Sequence, residues 1–295
     1  MPRYGGQAVI EGVMMRGPRA WAVAVRRPDG SIAVKREELP DRPGGWRFPF
    51  LRGVVLLYEA LVLGVKALSI SAAEAAGEEE KLGRGEIAAT IIFGLGAGVV
   101  LFVLFPAGAA YFFRHQVPAY WLQNLLEGLV RLGVFLAYLW LIGLLPDIKR
   151  VFAYHGAEHR VINAYEAGAP LTLEGVRGYP IIHLRCGTSF LLLVLLLSIF
   201  FFSLVGQGPL WWRFLSRLLL LPVIAGVSYE LLRLSSGVQH LWLKILVAPG
   251  LWLQRLTTRE PDEEQVEVAI TALQAVLPEG GEGDVGKASR TGDSV

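Results

Sequence analysis

Four long apolar runs constrain the fold of this chain more than any other feature of its sequence. A hydrocarbon core of about 30 Å needs roughly 20 apolar helical residues, and few charges are tolerated within them. The four runs are 86–113, 129–145, 189–205 and 216–234. Of the 295 residues, 53% are hydrophobic and 18% are charged, with a mean hydropathy of +0.46. These features predict a mainly α, polytopic membrane bundle of about four transmembrane helices.

Two further apolar segments carry internal charges, which are Arg52, Glu59, Lys66 and Lys244. Because charges are costly inside a bilayer, 51–73 predicts an amphipathic helix at the membrane surface, and we assign 51–85 to that region. Segment 238–256 has a central proline, Pro249, so it predicts two short helical pieces that lie at the interface. The transmembrane bundle is therefore expected within 86–256.

The distribution of basic residues predicts the orientation of the bundle. Thirteen Lys and Arg residues precede the first run, five lie within 146–188 and six follow from Arg233 onward. The opposite connections and helix ends hold the remaining four of 28, which are Arg114, Arg131, Arg213 and Arg217. Because basic residues are enriched on the cytoplasmic side, both termini and 146–188 are predicted to be cytoplasmic. The opening residues, MPRYGGQAVIEGV, show no signal-peptide pattern.

The segments outside the bundle have local patterns of their own. In region 1–50, WAVAVRR, PDG and SIAVKREEL alternate apolar and polar residues around a turn, which predicts a hairpin in a small β-rich cytoplasmic cap. Such a cap needs no catalytic role. Segment 257–278 begins with a capping-box-like pattern and has an apolar stripe, so it predicts a docking helix. The composition of 279–295 predicts a disordered tail.

The cytoplasmic loop 146–188 carries the residues with the clearest chemistry. Asp147 is expected to cap a helix that runs to about Ala167, and a second short helix is expected over 173–178. Within the first helix stands YHGAEH. Positions i and i+4 share one helix face, so His155 and His159 can present two imidazole nitrogens to one ion. The alternative is a pair of ordinary polar residues on a helix.

Glu158 completes an H-x-x-E-H order, which is that of the inverzincins. In that arrangement the glutamate is the natural general base for a metal-bound water. A catalytic zinc site also needs a third protein ligand and an open coordination position. The motif therefore predicts a metal site only if another ligand lies nearby.

A second pair of ligand-type residues, His183 and Cys186, follows in the same loop. Cys186 is the single cysteine of the chain, so an internal disulfide is excluded and a free thiol on a reducing face is expected. Three histidines, two histidines with the cysteine, or all four residues are suitable ligand sets for a divalent metal, with zinc favoured over iron by the thiolate. The alternatives are a hydrogen-bonded histidine and a small buried thiol.

Three further residues are candidates to support this site. Glu230 lies near the cytoplasmic end of the fourth run and could be a third ligand or an outer-sphere carboxylate, although an ion pair with Arg233 would also explain it. Glu11 could fold over the site or occupy a surface turn. Arg185 lies between the two ligand-type residues of the second pair. Neither His115 nor His240 is assigned to the site.

Five segments of the chain resemble the YqhQ family of bacterial multipass membrane proteins. They are GGQAVIEGVMMRGP (5–18), HGAEHRVINAYE (155–166), HLRCGTSF (183–190), GVSYELLR (226–233) and PGLWLQRLTTREPDEEQVEVAI (249–270). The function of that family is unknown, and its members are sometimes labelled predicted metal-dependent enzymes. The resemblance implies that nine residues sit in family motifs: Glu11, Arg16, His155, Glu158, His159, His183, Arg185, Cys186 and Glu230. Leu184 stands where the family has proline and Arg160 where lysine is usual, but neither change removes a ligand.

These observations predict a metal-dependent hydrolase in the plasma (inner) membrane of a bacterium. A site at the cytoplasmic membrane face would suit a lipid-linked substrate or a membrane protein, and the lipid bilayer is the surrounding partner. The alternative is a non-catalytic membrane protein that binds a partner in biogenesis or transport. Basic residues are not gathered with aromatic ones, so no nucleic-acid partner is expected.

Overall fold

The helices are the main elements of the fold, as the sequence predicts. The computed structural model describes residues 4–40, 51–76, 84–205, 210–235 and 241–278, so the predicted tail 279–295 and His240 lie outside the described residues. Within these ranges the helices are α1 (Leu51–Ala75), α2 (Arg84–Val99), α3 (Phe105–Phe112), α4 (Tyr120–Ile142), α5 (Pro146–Glu166), α6 (Leu173–Val176), α7 (Gly187–Leu204), α8 (Leu210–Ser235), α9 (Leu241–Thr257) and α10 (Glu263–Gln274). A π-helical turn, Val100–Leu104, joins α2 to α3.

The N-terminal segment forms a four-stranded antiparallel sheet. Its strands are β1 (Gly5–Val9), β2 (Gly12–Arg16), β3 (Ala20–Arg26) and β4 (Ile32–Glu38), and they are adjacent in chain order. The predicted hairpin is therefore present as β3 and β4. Its turn uses Gly30 at a φ of +84°, which glycine adopts without steric cost, and Asp29, whose carboxylate accepts from the amide and hydroxyl of Ser31.

Both faces of the sheet are covered by helices, because alternate residues of its strands are apolar on each side. Val13, Met15, Ala22 and Ala24 pack in one core with Tyr154, Ala157 and Val161 of α5 and with Val266, Ala269 and Leu273 of α10. Met14, Trp21, Val23 and Val25 pack on the other side against Leu63 and Ala67 of α1. The result is three layers, with the sheet between α1 and the pair of α5 and α10.

Among the residues that the structure describes, five helical segments are long enough and apolar enough to cross a membrane, whereas the sequence predicts four. The predicted spans correspond to Ile92–Phe112, Tyr120–Ile142, Gly187–Leu204 and Leu215–Ser235. The additional segment is Arg52–Ala75 in α1, which the sequence assigns to the membrane surface. It qualifies because its charges are spaced so widely that 18 consecutive residues contain only two of them.

Two helices differ in detail from the sequence prediction. The segment predicted as two pieces is one continuous helix, α9, with Pro249 inside it. Proline removes one hydrogen bond from a helix, but neighbouring packing can hold the remaining turns in line. That packing is close here, because a Cβ on Gly250 would lie 2.7 Å from the Cβ of Ser189 in α7.

Helix α5 begins at Pro146 after Leu145, so Asp147 lies in its first turn and is not the cap.

The C-terminal docking helix is confirmed with its predicted cap. The side chain of Asp262 accepts from the amide of Gln265, and the Gln265 side chain accepts from the amide of Asp262. This is a reciprocal capping box.

The connection from α9 to α10 runs along α5, where the amide of Arg259 donates to the carbonyl of Phe152 over 2.9 Å. The chain approaches α5 so closely at this point that a Cβ on Gly156 would lie 2.1 Å from the Arg259 carbonyl oxygen.

We expect Gly156→Ala to displace this connection and to lower the free energy of unfolding by about 1–3 kcal/mol, as overpacking typically does. The measurement is the thermal unfolding midpoint of the detergent-solubilised protein. Gly178→Ala is the matched control, because a Cβ at Gly178 would have no neighbouring atom within 4 Å. Equal midpoints for the two variants would contradict the close approach.

Candidate metal centre

His155 and His159 of α5 are both oriented by a backbone contact at Nδ1, which leaves Nε2 of each ring facing a common space. Nδ1 of His155 lies 2.8 Å from the carbonyl oxygen of Thr257, and Nδ1 of His159 lies 2.8 Å from that of Ile181. A carbonyl oxygen can only accept a hydrogen bond, so Nδ1 carries the proton in each ring. In the neutral imidazoles Nε2 is then left with a free lone pair. Metal-binding histidines are oriented in the same way.

Cys186 brings a thiol to the first of these nitrogens. Its Sγ lies 3.2 Å from Nε2 of His155 and 3.1 Å from the hydroxyl oxygen of Thr188. Cys186 is buried at the N-terminal end of α7. Without a metal, this geometry is that of a hydrogen-bonded thiol–imidazole pair. With a metal, the hydroxyl of Thr188 could donate to the thiolate.

A buried glutamine holds the loop that carries the cysteine. Nε2 of Gln254, in α9, donates to the carbonyl of His183 and to the hydroxyl of Ser189, each over 2.8 Å. Its Oε1 accepts from the amide of His183 over 2.9 Å. Cys186 therefore lies between two anchored residues, three positions from each. The fully buried amide of Gln254 fixes the thiol relative to α9, whose last carbonyls include the acceptor for His155.

The three ligand-type atoms are close enough to share one ion. One nitrogen of His155, one nitrogen of His159 and the Cys186 sulfur all lie within 4.8 Å of one another. Zinc binds nitrogen at 2.0–2.1 Å and sulfur at 2.3 Å, so its tetrahedral ligands are separated by about 3.3–3.6 Å. Small movements of the side chains would reach that separation. The nitrogen and sulfur donors are those that zinc prefers in proteins.

Glu158 adds a carboxylate to the same space. Its Oε2 lies 3.7 Å from Nε2 of His159 and 4.0 Å from Nε2 of His155. Burial raises the pKa of Glu158 to about 7, although His155 and the amide of Gly6 act in the opposite direction. A buried carboxylate loses its hydration, and the neighbouring imidazole and amide compensate only part of that loss. A divalent cation between these groups would compensate more.

Strand β1 covers this carboxylate. A Cβ on Gly6 would lie 2.7 Å from Cγ of Glu158 and 3.0 Å from its Oε1, so only glycine fits here without displacement. The side chain of Glu158 is 6% exposed and that of His155 is 12% exposed. The N-terminal sheet is thus part of the wall of the site. The sequence assigns this sheet to a cap that needs no catalytic role.

His183 lies beside the three ligand-type residues but faces another partner. Its ring centroid is 5.8 Å from that of His159, while its Nε2 lies 3.5 Å from Oε2 of Glu166. Arg185 pairs with the other oxygen of Glu166. Burial, and secondarily His159, lowers the pKa of His183 to about 4. Of the four predicted ligands, the structure brings together His155, His159 and Cys186, with His183 directed away.

The two other predicted carboxylates lie in different ion pairs. Glu11 occupies the turn between β1 and β2 at a φ of +49°, and its oxygens accept from Nε and an Nη of Arg150. Glu230 pairs with Arg52 of α1, and Arg233 lies 3.8 Å from it. Glu11 therefore joins the sheet to α5, and Glu230 joins α1 to α8.

Several residues that build the site are not singled out by the sequence. Gln254 and Thr257 lie in a segment whose pattern indicates an interfacial helix, and the useful atom of Thr257 is a backbone carbonyl. The signal for Gln254 is a lone amide side chain on an amphipathic helix. Glu166 lies seven residues after His159, which places it two turns along the same face. Gly6 could not have been found, because its role depends on a long-range contact.

We expect purified protein to retain one zinc ion per chain, measured by elemental analysis. His155→Ala, His159→Ala and Cys186→Ser each remove one converging donor, so the metal content should become substoichiometric. His183→Ala is the matched control and should cost no more than the about 10–100-fold in affinity that is typical of residues that only orient ligands. A metal-free parent would contradict the site, and equal depletion by His183→Ala would contradict the ligand set.

Comparisons with known proteins agree with the resemblance noted from the sequence motifs. Residues 48–279 match the family model described as "Protein of unknown function (DUF1385)". The chain is 40% identical over 294 residues to "Uncharacterized protein YqhQ" of Bacillus subtilis (strain 168), covering 94% of this chain and 92% of that protein. No solved structure matches. The chain therefore belongs to the DUF1385 family, whose YqhQ-like members have no established function.

Proposed function

We propose that this protein is a membrane protein with a zinc centre held by His155, His159 and Cys186. The observation that carries the proposal is the convergence of these three donors within 4.8 Å. Both imidazoles donate Nδ1–H to backbone carbonyls, which supports metal binding through Nε2. Three protein ligands leave a fourth position of a tetrahedral ion, as in catalytic zinc sites.

The chemistry that fits this arrangement best is hydrolysis. A bound zinc ion would supply a Lewis acid that lowers the pKa of a coordinated water to about 7. Glu158 is placed to accept a proton there, because its Oε2 is about equally far from both imidazole Nε2 atoms. A nearby divalent cation would favour the ionised carboxylate, which is the form that accepts a proton. Cys186 immediately precedes α7, an apolar helix, so a membrane-associated substrate is the natural class.

A second candidate is a non-catalytic role in which the metal joins the sheet to the helices. The observation in its favour is the cover over Glu158, which is buried beneath Gly6 of β1. In that case the carboxylate would be the fourth ligand and the site would be closed. Such a protein would act through its surface, as a partner-binding factor in biogenesis or transport.

An open coordination position distinguishes the two candidates. We expect the visible absorption spectrum of the cobalt(II)-substituted protein to change when azide is added, because azide would occupy the fourth position. Glu158→Gln should keep both its cobalt and its response to azide. Glu166→Gln is the matched control, since it alters a neighbouring carboxylate that faces His183 and Arg185. The closed site would be favoured if azide left the spectrum of the parent protein unchanged and Glu158→Gln lost its cobalt.

We further propose that the chain crosses the membrane four times, with the termini and the metal centre on the cytoplasmic side. The shared core of the sheet, α5 and α10 supports this topology, because these elements must lie on one side of the bilayer. An even number of crossings must then separate the sheet from α5. The helices α2–α3 and α4 make two crossings between the sheet and α5, and α7 and α8 make two more between α5 and α10. If α1 also crossed the membrane, the number of crossings between the sheet and α5 would be odd.

The ion pairs of α1 support a position parallel to the membrane surface. Three charged residues of the N-terminal cap pair with residues of α1. They are Arg16 of β2 with Glu59, Glu37 of β4 with Lys66, and Arg27, which follows β3, with Glu74. Glu59 and Glu74 are about 22 Å apart along a helix, so the sheet follows α1 for most of its length. Large apolar side chains of α1 are exposed elsewhere, at Tyr58, Leu61, Val62, Val65 and Leu68. This is the pattern of an interfacial amphipathic helix.

Cysteine labelling in intact cells tests this topology. We expect Glu79→Cys, between α1 and α2, to be protected from a membrane-impermeant maleimide in the same way as Lys35→Cys in β4. Gln116→Cys, between α3 and α4, should be labelled. The unsubstituted protein measures the background from Cys186. If positions 35 and 79 lie on opposite sides, α1 crosses the membrane and the four-crossing topology is wrong.

A further inference from the structure

A second polar cluster lies in the helical bundle, at the end opposite to the sheet. Glu127 and Arg131 belong to α4, and Arg217 belongs to α8. Helix α4 starts at the far end and joins α5, so Glu127 is about 10 Å from that end at 1.5 Å per residue. Arg217 is also about 10 Å from the start of α8. With a hydrocarbon core of about 30 Å, both positions lie in the half of the bilayer nearest to that end.

One carboxylate bridges the two guanidinium groups. Oε1 of Glu127 accepts from Arg131 over 2.6 Å, and its Oε2 accepts from Arg217 over 2.6 Å. Nε of Arg131 donates to the carbonyl of Phe102, in the π-helical turn between α2 and α3. The guanidinium of Arg217 lies 5.6 Å from the ring centre of Phe202 in α7. Four parts of the bundle therefore hold these arginines in place.

The charge of this cluster is not balanced by the residues that the structure describes around it. Both arginines remain protonated in proteins, so with Glu127 the cluster carries a net charge of +1. The sequence offers no second carboxylate at this end, because Glu127 is the sole Asp or Glu in 92–142 and there is none in 187–229. An unbalanced charge in apolar surroundings is costly unless a counterion neutralises it. An anion from outside the chain would supply this counterion.

We propose that Arg217 and Arg131 bind the phosphate of an anionic lipid at the membrane face opposite to the sheet. The side chains of Arg217 and Arg131 are 17% and 12% exposed, whereas that of Glu127 is 5% exposed, so the cations are the accessible part. Guanidinium groups form paired, charge-assisted hydrogen bonds with phosphate oxygens. Exposed Trp121 and Trp211 lie near the same helix ends, as aromatic residues do at a membrane interface.

A lipid phosphate fits the position better than a free phosphate ion does. The cluster lies below the ends of α4 and α8, among exposed apolar side chains such as Leu218 and Leu219. A headgroup reaches this depth because its acyl chains remain in the hydrocarbon, whereas an inorganic ion would have to leave water. The shared chemistry is phosphate recognition, and the two sources can be separated experimentally.

The test is native mass spectrometry of the full-length protein with equal amounts of phosphatidylglycerol and phosphatidylcholine. We expect the parent to retain phosphatidylglycerol preferentially. Arg217→Gln should lower that retention by about tenfold, the loss of one charge-assisted contact. Lys149→Gln, which removes one exposed positive charge at the sheet end, is the matched control and should retain the lipid as the parent does.

Three outcomes would overturn the proposal. Equal retention of the two lipids by the parent would do so without reference to any variant, so the test survives even if Arg217→Gln does not fold. Unchanged retention in a folded Arg217→Gln protein would show that the cluster is only a structural link between helices. Displacement of phosphatidylglycerol by excess inorganic phosphate would assign the site to a soluble anion.

Discussion

The apolar core between the N-terminal sheet and α5 joins parts of the chain that are far apart in sequence. Val13 and Met15 of β2 pack with Tyr154 and Ala157 of α5, and α10 closes the same core. Because of this contact, the first strand lies over Glu158 and the end of α9 reaches His155. The same contact also requires that sheet, α5 and α10 share one side of the membrane. The geometry of the candidate metal centre and the proposed topology therefore depend on one interface.

Charged residues are used sparingly in this fold, and several of those that the structure describes are paired across elements. Glu11 and Arg150 connect the sheet to α5, while Glu230 and Arg52 connect α8 to α1. The Glu230–Arg52 pair is the more buried of the two, so removing one of its partners would leave a poorly solvated charge, whereas exposed pairs contribute little. Their positions explain why a family motif can contain a carboxylate that lies away from the candidate site. Motif membership alone does not distinguish a ligand from a structural link.

The sequence predicted much of the candidate site because helical spacing is local. His155 and His159 are four residues apart, so they share a face in any α-helix, and Glu158 must stand next to them. The sequence could not decide whether His183 or Cys186 joins the two histidines as a ligand. Both lie in the same short loop, and the choice depends on Gln254, which holds His183 by its backbone and leaves its ring to face Glu166. Backbone carbonyls of Thr257 and Ile181, which select the histidine tautomers, have no sequence signature.

The sequence by itself determined the apolar helices, the β3–β4 hairpin, the capping box of α10 and the paired histidines. All of these follow from periodicity or from contacts between residues a few positions apart. The tertiary structure decided which donors converge, that Gly6 covers Glu158, and that α9 stays continuous through Pro249. It also decided the surroundings of α1, whose composition fits both a span and a surface helix. These features depend on packing between distant segments, and no local pattern of residues records which distant surface a side chain will meet.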